Sequence, residues 1–176
     1  MAEPADLLST IVEFSIGLAG FSGVIGIFIN QSGRWAYVDR FRITNLLIMS
    51  LTPGFMAFFT LGLMHASPGT QNAVNVSAGV FALILSVALV IIPKSRAKVP
   101  EQDKHLVGPK IFIPIAASFV IILSLQALIA LSILSTQAFV IYYYSLVVML
   151  LLAVVQFARL ILARPNDLMD TSADGA

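Results

Sequence analysis

Residues 9–23 read STIVEFSIGLAGFSG, from Ser9 to Gly23, and hold one acidic side chain, Glu13, in an apolar run without a basic residue. Whether this run is a removable leader or a retained helix decides the helix count of the chain. Signal peptides open on a basic segment. The residues before this run, MAEPADLL, carry Glu3 and Asp6 and no Lys or Arg. The run is also long for a signal core, so it is expected to stay as a helix.

Working outward, four further runs of similar length follow. The five extend over Leu7 to Ile29, Phe41 to Met64, Ala73 to Ile92, Ile111 to Leu134 and Phe139 to Leu162. A hydrocarbon core takes about 20 helical residues to cross. The 176 residues are 59% hydrophobic and 11% charged, against about a quarter charged in an ordinary soluble domain. Mean hydropathy is +0.95. A soluble fold of this size has too much surface to hide so apolar a composition, so lipid is the expected solvent. Strands would leave backbone groups unpaired there, and the runs are far longer than the roughly ten-residue segments of a barrel. The sequence therefore predicts an all-α, polytopic transmembrane bundle of five helices over residues 1–162. A short acidic tail, 163–176, is expected to be disordered.

The ten Lys and Arg residues sit on alternate connections. Arg34, Arg40 and Arg42 flank the first. Lys94, Arg96, Lys98, Lys104 and Lys110 occupy the third, and Arg159 and Arg164 follow the fifth run. The other connections have none. Basic residues in short loops stay in the cytoplasm, which predicts the N-terminus out and the C-terminus in. Trp35, Tyr37 and Phe41 would mark the cytoplasmic headgroup level, and Tyr142, Tyr143 and Tyr144 the outer one. Asp39 is a candidate N-cap for the second helix.

On a wheel at 100° per residue, Ser9, Glu13, Gly17, Gly20 and Val24 share one face of the first helix. Ser15, Ala19, Ser22 and Gly26 line the opposite face, and Phe14, Leu18, Phe21, Ile25 and Phe28 project between. Small residues let membrane helices approach closely. The expectation is a helix clasped on two sides, packed through Gly17, Gly20, Ala19, Ser22 and Gly26, with Glu13 on a packed face. An acid at the bilayer centre costs about 2.5–3.5 kcal/mol on insertion scales and less toward the edge. By depth, Gln126, Tyr143, Tyr144, Ser145, Thr60 and His65 are its candidate partners, and with Glu13 they form a candidate intramembrane polar site. Glu13 then either binds a proton or cation in an outward-opening pathway, or fixes helix packing as a hydrogen-bonded acid.

Pro53 and Gly54 interrupt the second run, where a proline removes one helical hydrogen bond, and a static kink is expected. Pro114 is read as opening the fourth helix, where its missing N–H costs little. Asn45, Gln156 and Arg159 are read as interfacial anchors or interhelical hydrogen-bonding groups. His65 and His105 fall on opposite sides without ligand-spaced companions, so no metal site is expected. No phosphate loop, nucleophile elbow or paired carboxylates occur. No catalytic residues, no cofactor and no nucleic-acid partner are expected. The partners expected are the lipid bilayer and a second copy or another membrane protein.

FSGVIGIF, residues 21–28, followed by W-x-x-x-D-R-x-R from Trp35 to Arg42, resembles short, uncharacterised bacterial integral-membrane proteins. They too pair a glycine-rich first helix with such a loop, and the likeness covers about the first 60 residues. The resemblance implies a bacterial cytoplasmic (inner) membrane, and no activity, ligand or site residue. The leading expectation for function is a small channel- or transporter-like subunit. The alternative is a non-transporting scaffold or modulatory partner of another membrane complex.

Overall fold

The computed structural model describes residues 3–29, 37–66, 69–99 and 109–162. Trp35, Arg34, His105, most of the basic third connection and the acidic tail lie outside them. Five α-helices follow one another: α1 (Pro4–Ile29), α2 (Tyr37–Ala66), α3 (Thr70–Ala97), α4 (Pro109–Ala130) and α5 (Ala138–Leu162). A 3-10 turn, Ser135–Gln137, leads into α5. All five are long and apolar enough to cross a membrane. Each satisfies its backbone hydrogen bonds internally, which a segment in lipid must do.

Several helix boundaries differ from expectation. α3 continues through Pro93 to Ala97 instead of ending at Ile92. α4 begins at Pro109, so Pro114 lies inside it and the first-turn proline is Pro109. It also stops at Ala130, four residues short of Leu134. α2 begins at Tyr37, which places Asp39 inside the first turn and not at the N-cap. The apolar runs mark what lies in lipid, whereas helices extend past the core until their ends can be capped or hydrated.

The end of α4 shows such a cap. Ser132 N–H donates to the Ile129 carbonyl (2.8 Å) and Ile133 N–H to that of Leu128 (3.0 Å), the Schellman pattern. Ser132 takes φ 60°, a conformation that suits glycine and costs other residues about 1–2 kcal/mol. Its hydroxyl compensates by accepting from Asn75 Nδ2 of α3 (3.0 Å), and Asn75 Oδ1 accepts from Gln71 Nε2 (2.9 Å). All three hydrogen-bonding groups are in an exposed setting, where one such bond contributes about 1 kcal/mol. Ser132→Gly therefore relieves strain about as large as the bond it loses. Its thermal midpoint should stay within a few degrees of wild type, while Ser132→Val, which keeps the strain and loses the bond, should fall clearly below both in a detergent melt.

α2 and α5 form the centre. α1 lies mainly along α2, α3 along α4, and α5 touches all the others. The start of α2 and the end of α3 meet at one end of the bundle, where Arg40 and Ser95 line one groove. The start of α3 and the end of α4 meet at the other, through Asn75 and Ser132. The core interleaves Leu46, Met49 and Met56 of α2 with Phe81 and Leu85 of α3, Phe119 and Ile129 of α4, and Leu146 and Met149 of α5. The outside is equally apolar: Phe21 is 69% exposed, Ile27 72% and Phe58 68%. Apolar surface of that extent has no stable place in water, which supports a membrane protein.

Candidate functional site

α1 presents two faces of small residues, and the chain uses one. Ser15, Ser22 and Gly26 are buried and Ala19 half-buried, whereas Ser9, Glu13, Gly17, Gly20 and Val24 are all exposed. The expectation of a helix clasped on two sides, with Glu13 packed, is corrected: α1 stands at the edge of the bundle and meets α2 and α5 with its serine face alone. Ala19, Ser22 and Gly26 serve packing within the chain, and Gly17 and Gly20 do not.

The reason lies in α2. A Cβ built at Gly54 would fall 2.5 Å from Ser15 Cβ and 2.9 Å from Ser15 Oγ, so glycine alone admits α1 this close. Gly54 and Pro53 are both buried, and α2 runs through them as one helix. Gly54 thus acts as the seat of α1. Ser15 Oγ is buried there without a hydrogen-bond partner, while Ser22 Oγ donates to the Leu18 carbonyl (2.6 Å).

On the exposed face, the positions of Gly17 and Gly20 open on empty space, with no atom beyond their own stretch of helix within 4 Å of where a Cβ would sit. Glu13 is four residues before Gly17 and seven after Asp6, roughly 10 Å into the helix from that acid. It makes no hydrogen bond or ion pair among the described residues. The carboxylate therefore faces outward, along a strip shallow enough for another helix.

Of the residues expected to gather round Glu13, Gln126 and Ser145 pair with each other and Thr60 pairs with Tyr142. Gln126 Nε2 of α4 donates to Ser145 Oγ of α5 (2.8 Å), and Ser145 Oγ donates to the Ile141 carbonyl (2.8 Å). Gln126 is fully buried, and its Oε1 has no partner. Thr60 Oγ1 lies 2.7 Å from the Tyr142 hydroxyl and donates to the Met56 carbonyl (2.7 Å). That carbonyl also accepts from Tyr142 (3.1 Å). Tyr143 is half-buried, stacked on Phe139, and Tyr144 is 61% exposed. His65 is exposed near the end of α2.

Tyr142 is the main correction to the aromatic belt. It is fully buried, edge-on to Phe81 at 6.3 Å, and is the largest of the wholly buried side chains among the described residues. Ser77 of α3 brings a third hydroxyl to this cluster, without hydrogen-bond geometry. Three consecutive tyrosines on a helix point 100° apart, so they cannot all face lipid, and Tyr142 is the one that turns into the bundle. Of the set Asn45, Gln156 and Arg159, Gln156 donates to Met49 Sδ (3.7 Å) and Asn45 lines a groove toward α3.

The interior is thus a set of hydrogen-bonded interhelical clasps, and the carboxylate lies outside it on an uncovered strip of α1. Compared with protein-family models, with curated proteins and with solved structures, the chain matches none.

Proposed function

We propose that this protein is a non-transporting scaffold or modulatory subunit of a membrane complex, and that it engages a partner helix through the Ser9–Glu13–Gly17–Gly20–Val24 face of α1. The supporting observation is that Glu13 and two open glycines share an exposed face that the described residues leave uncovered. A carboxyl group facing lipid is unfavourable, and a partner that hydrogen-bonds it offsets that cost. Interhelical hydrogen bonds in membranes contribute about 0.6 to 2 kcal/mol each, and small residues let backbones come close enough to make them. Placement in a bacterial cytoplasmic membrane, with the N-terminus outside, belongs to the same proposal and rests on the resemblance and on the distribution of basic residues.

A second reading uses the same residue. In a channel- or transporter-like subunit, several copies would turn their Glu13 faces toward a shared polar path. A carboxylate without a partner among the described residues favours this reading as well.

One set of measurements separates the two. Purified wild type and Glu13→Gln are reconstituted in liposomes for proton and cation flux, and membranes carrying wild type and Gly17→Leu/Gly20→Leu are solubilised for co-purification. Scaffolding predicts no flux from either reconstituted protein. It also predicts a reproducible membrane partner, whose recovery falls about tenfold or more with the leucine pair, equivalent to about 1.4 kcal/mol of association. Flux that disappears with Glu13→Gln would replace scaffolding by transport. If Glu13→Gln equals wild type in flux, partner recovery and thermal stability, Glu13 has no part in either.

A further inference from the structure

A groove runs between α2 and α3 at the end of the bundle remote from their connecting turn. Its mouth is polar: Arg40, Thr44 and Asn45 of α2 face Ser95 of α3 around about 310 Å³ of open space, floored by Ile48 and Ile91. It continues inward through a second space of about 340 Å³ that shares Thr44 and Ile48 and is walled by Leu51, Phe55 and Ile84. The one further hydroxyl there, Thr52, is turned to its own helix and donates to the Ile48 carbonyl (2.7 Å). Polarity therefore falls from a charged rim to a wholly apolar floor.

The dimensions match one leaflet. From Thr44 to Phe55 is eleven residues of α2, about 16 Å at 1.5 Å per residue. Half of a 30 Å hydrocarbon core is about 15 Å. The rim is also predominantly basic. Arg40 and Arg42 on α2, Lys94 and Arg96 on α3 and Lys98 just past its end lie there, against one acid among the described residues, Asp39 in the first turn of α2. Arg40, Thr44 and Asn45 make no side-chain hydrogen bond among the described residues.

We infer that this groove holds an anionic phospholipid of the surrounding leaflet, its phosphate at Arg40, Thr44 and Asn45 and one acyl chain lying along α2 toward Phe55. Arginine suits the head because its planar fork pairs with phosphate oxygens. The site is independent of the α1 face and takes no part in the reading given to Glu13.

The test titrates the purified full chain in uncharged detergent with phosphatidylglycerol, phosphatidylcholine of the same acyl chains, or glycerol phosphate, and follows bound lipid by native mass spectrometry and unfolding by heat. Phosphatidylglycerol should bind in preference to phosphatidylcholine and raise the midpoint, and glycerol phosphate should do neither. Arg40→Gln should reduce the preference about fivefold, the effect of one basic side chain beside an anionic surface. Leu51→Trp, which fills the apolar part from an exposed position, should weaken both lipids alike. Lys98→Gln removes a charge from the same end without touching the groove, and should change the preference much less. The inference is overturned if the two lipids bind equally, if glycerol phosphate alone protects, or if Lys98→Gln acts as strongly as Arg40→Gln. It is also overturned if Thr44→Cys, the sole thiol in a chain without cysteine, forms disulfide-linked dimers, which would place a second copy in the groove.

Discussion

Gly54→Ala should destabilise the bundle by about 1–3 kcal/mol, the usual range for an added methyl group with no room, despite a helix-propensity gain of up to about 1 kcal/mol. The methyl carbon would meet Ser15 Cβ at 2.5 Å and Ser15 Oγ at 2.9 Å. Serine is too short to swing aside, so α1 itself must move. Ser15→Gly removes both obstructing atoms and leaves the nearest remaining contact, Ser15 Cα, at 4.0 Å. Combined with Gly54→Ala it should recover most of the loss, although Ser15→Gly alone is destabilising by about 0.5–1 kcal/mol. Contacting sites of this kind are non-additive by 0.5 kcal/mol or more. Unfolding of the four proteins by SDS in mixed micelles gives the coupling directly. Additive effects, or a Gly54→Ala protein as stable as wild type, would show that α1 does not rest on this point.

Tyr142→Ala should be more damaging still, by about 3–5 kcal/mol, the range for truncating a large buried aromatic side chain. It opens a void beside Phe81 and leaves Thr60 with only the Met56 carbonyl. Tyr142→Phe keeps the ring and loses the hydroxyl, and should cost about 0.6–1.7 kcal/mol, as measured for hydrogen bonds inside membrane bundles. The ratio of the two losses in the same SDS titration separates packing from hydrogen bonding. A phenylalanine variant as unstable as the alanine one would mean that the hydroxyl cluster, not the ring, holds α5 to α2.

The five helices can be read from the chain because each apolar run is long, nearly free of charge and bounded by polar residues. Which face of each helix turns inward is much less legible. α1 carries small residues on both sides, and Gly17 with Gly20 looks as fit for packing as Ser15 with Ser22. The choice is made by Gly54, 39 residues beyond Ser15 in sequence, whose complementarity to Ser15 exists only in three dimensions. Tyr142, Tyr143 and Tyr144 pose the same difficulty, because only the position of Thr60 and Met56 on α2 selects which ring turns in. Gln126 was legible as a polar group needing a partner, and Ser145 was among the candidates at its depth. Their pairing with each other, and not with Glu13, depends on α4 and α5 meeting through these residues while α1 turns Glu13 away from the bundle.

The polar clasps also order the birth of the bundle. Thr60 and Gln126 leave the translocon on α2 and α4, and the side chains that answer them, Tyr142 and Ser145, follow on α5. Until that helix arrives, α2 and α4 hold polar groups toward lipid without their eventual mates. Insertion of α5 is therefore the step that gives both polar groups their interhelical mates and joins the α1–α2 and α3–α4 pairs around one central helix.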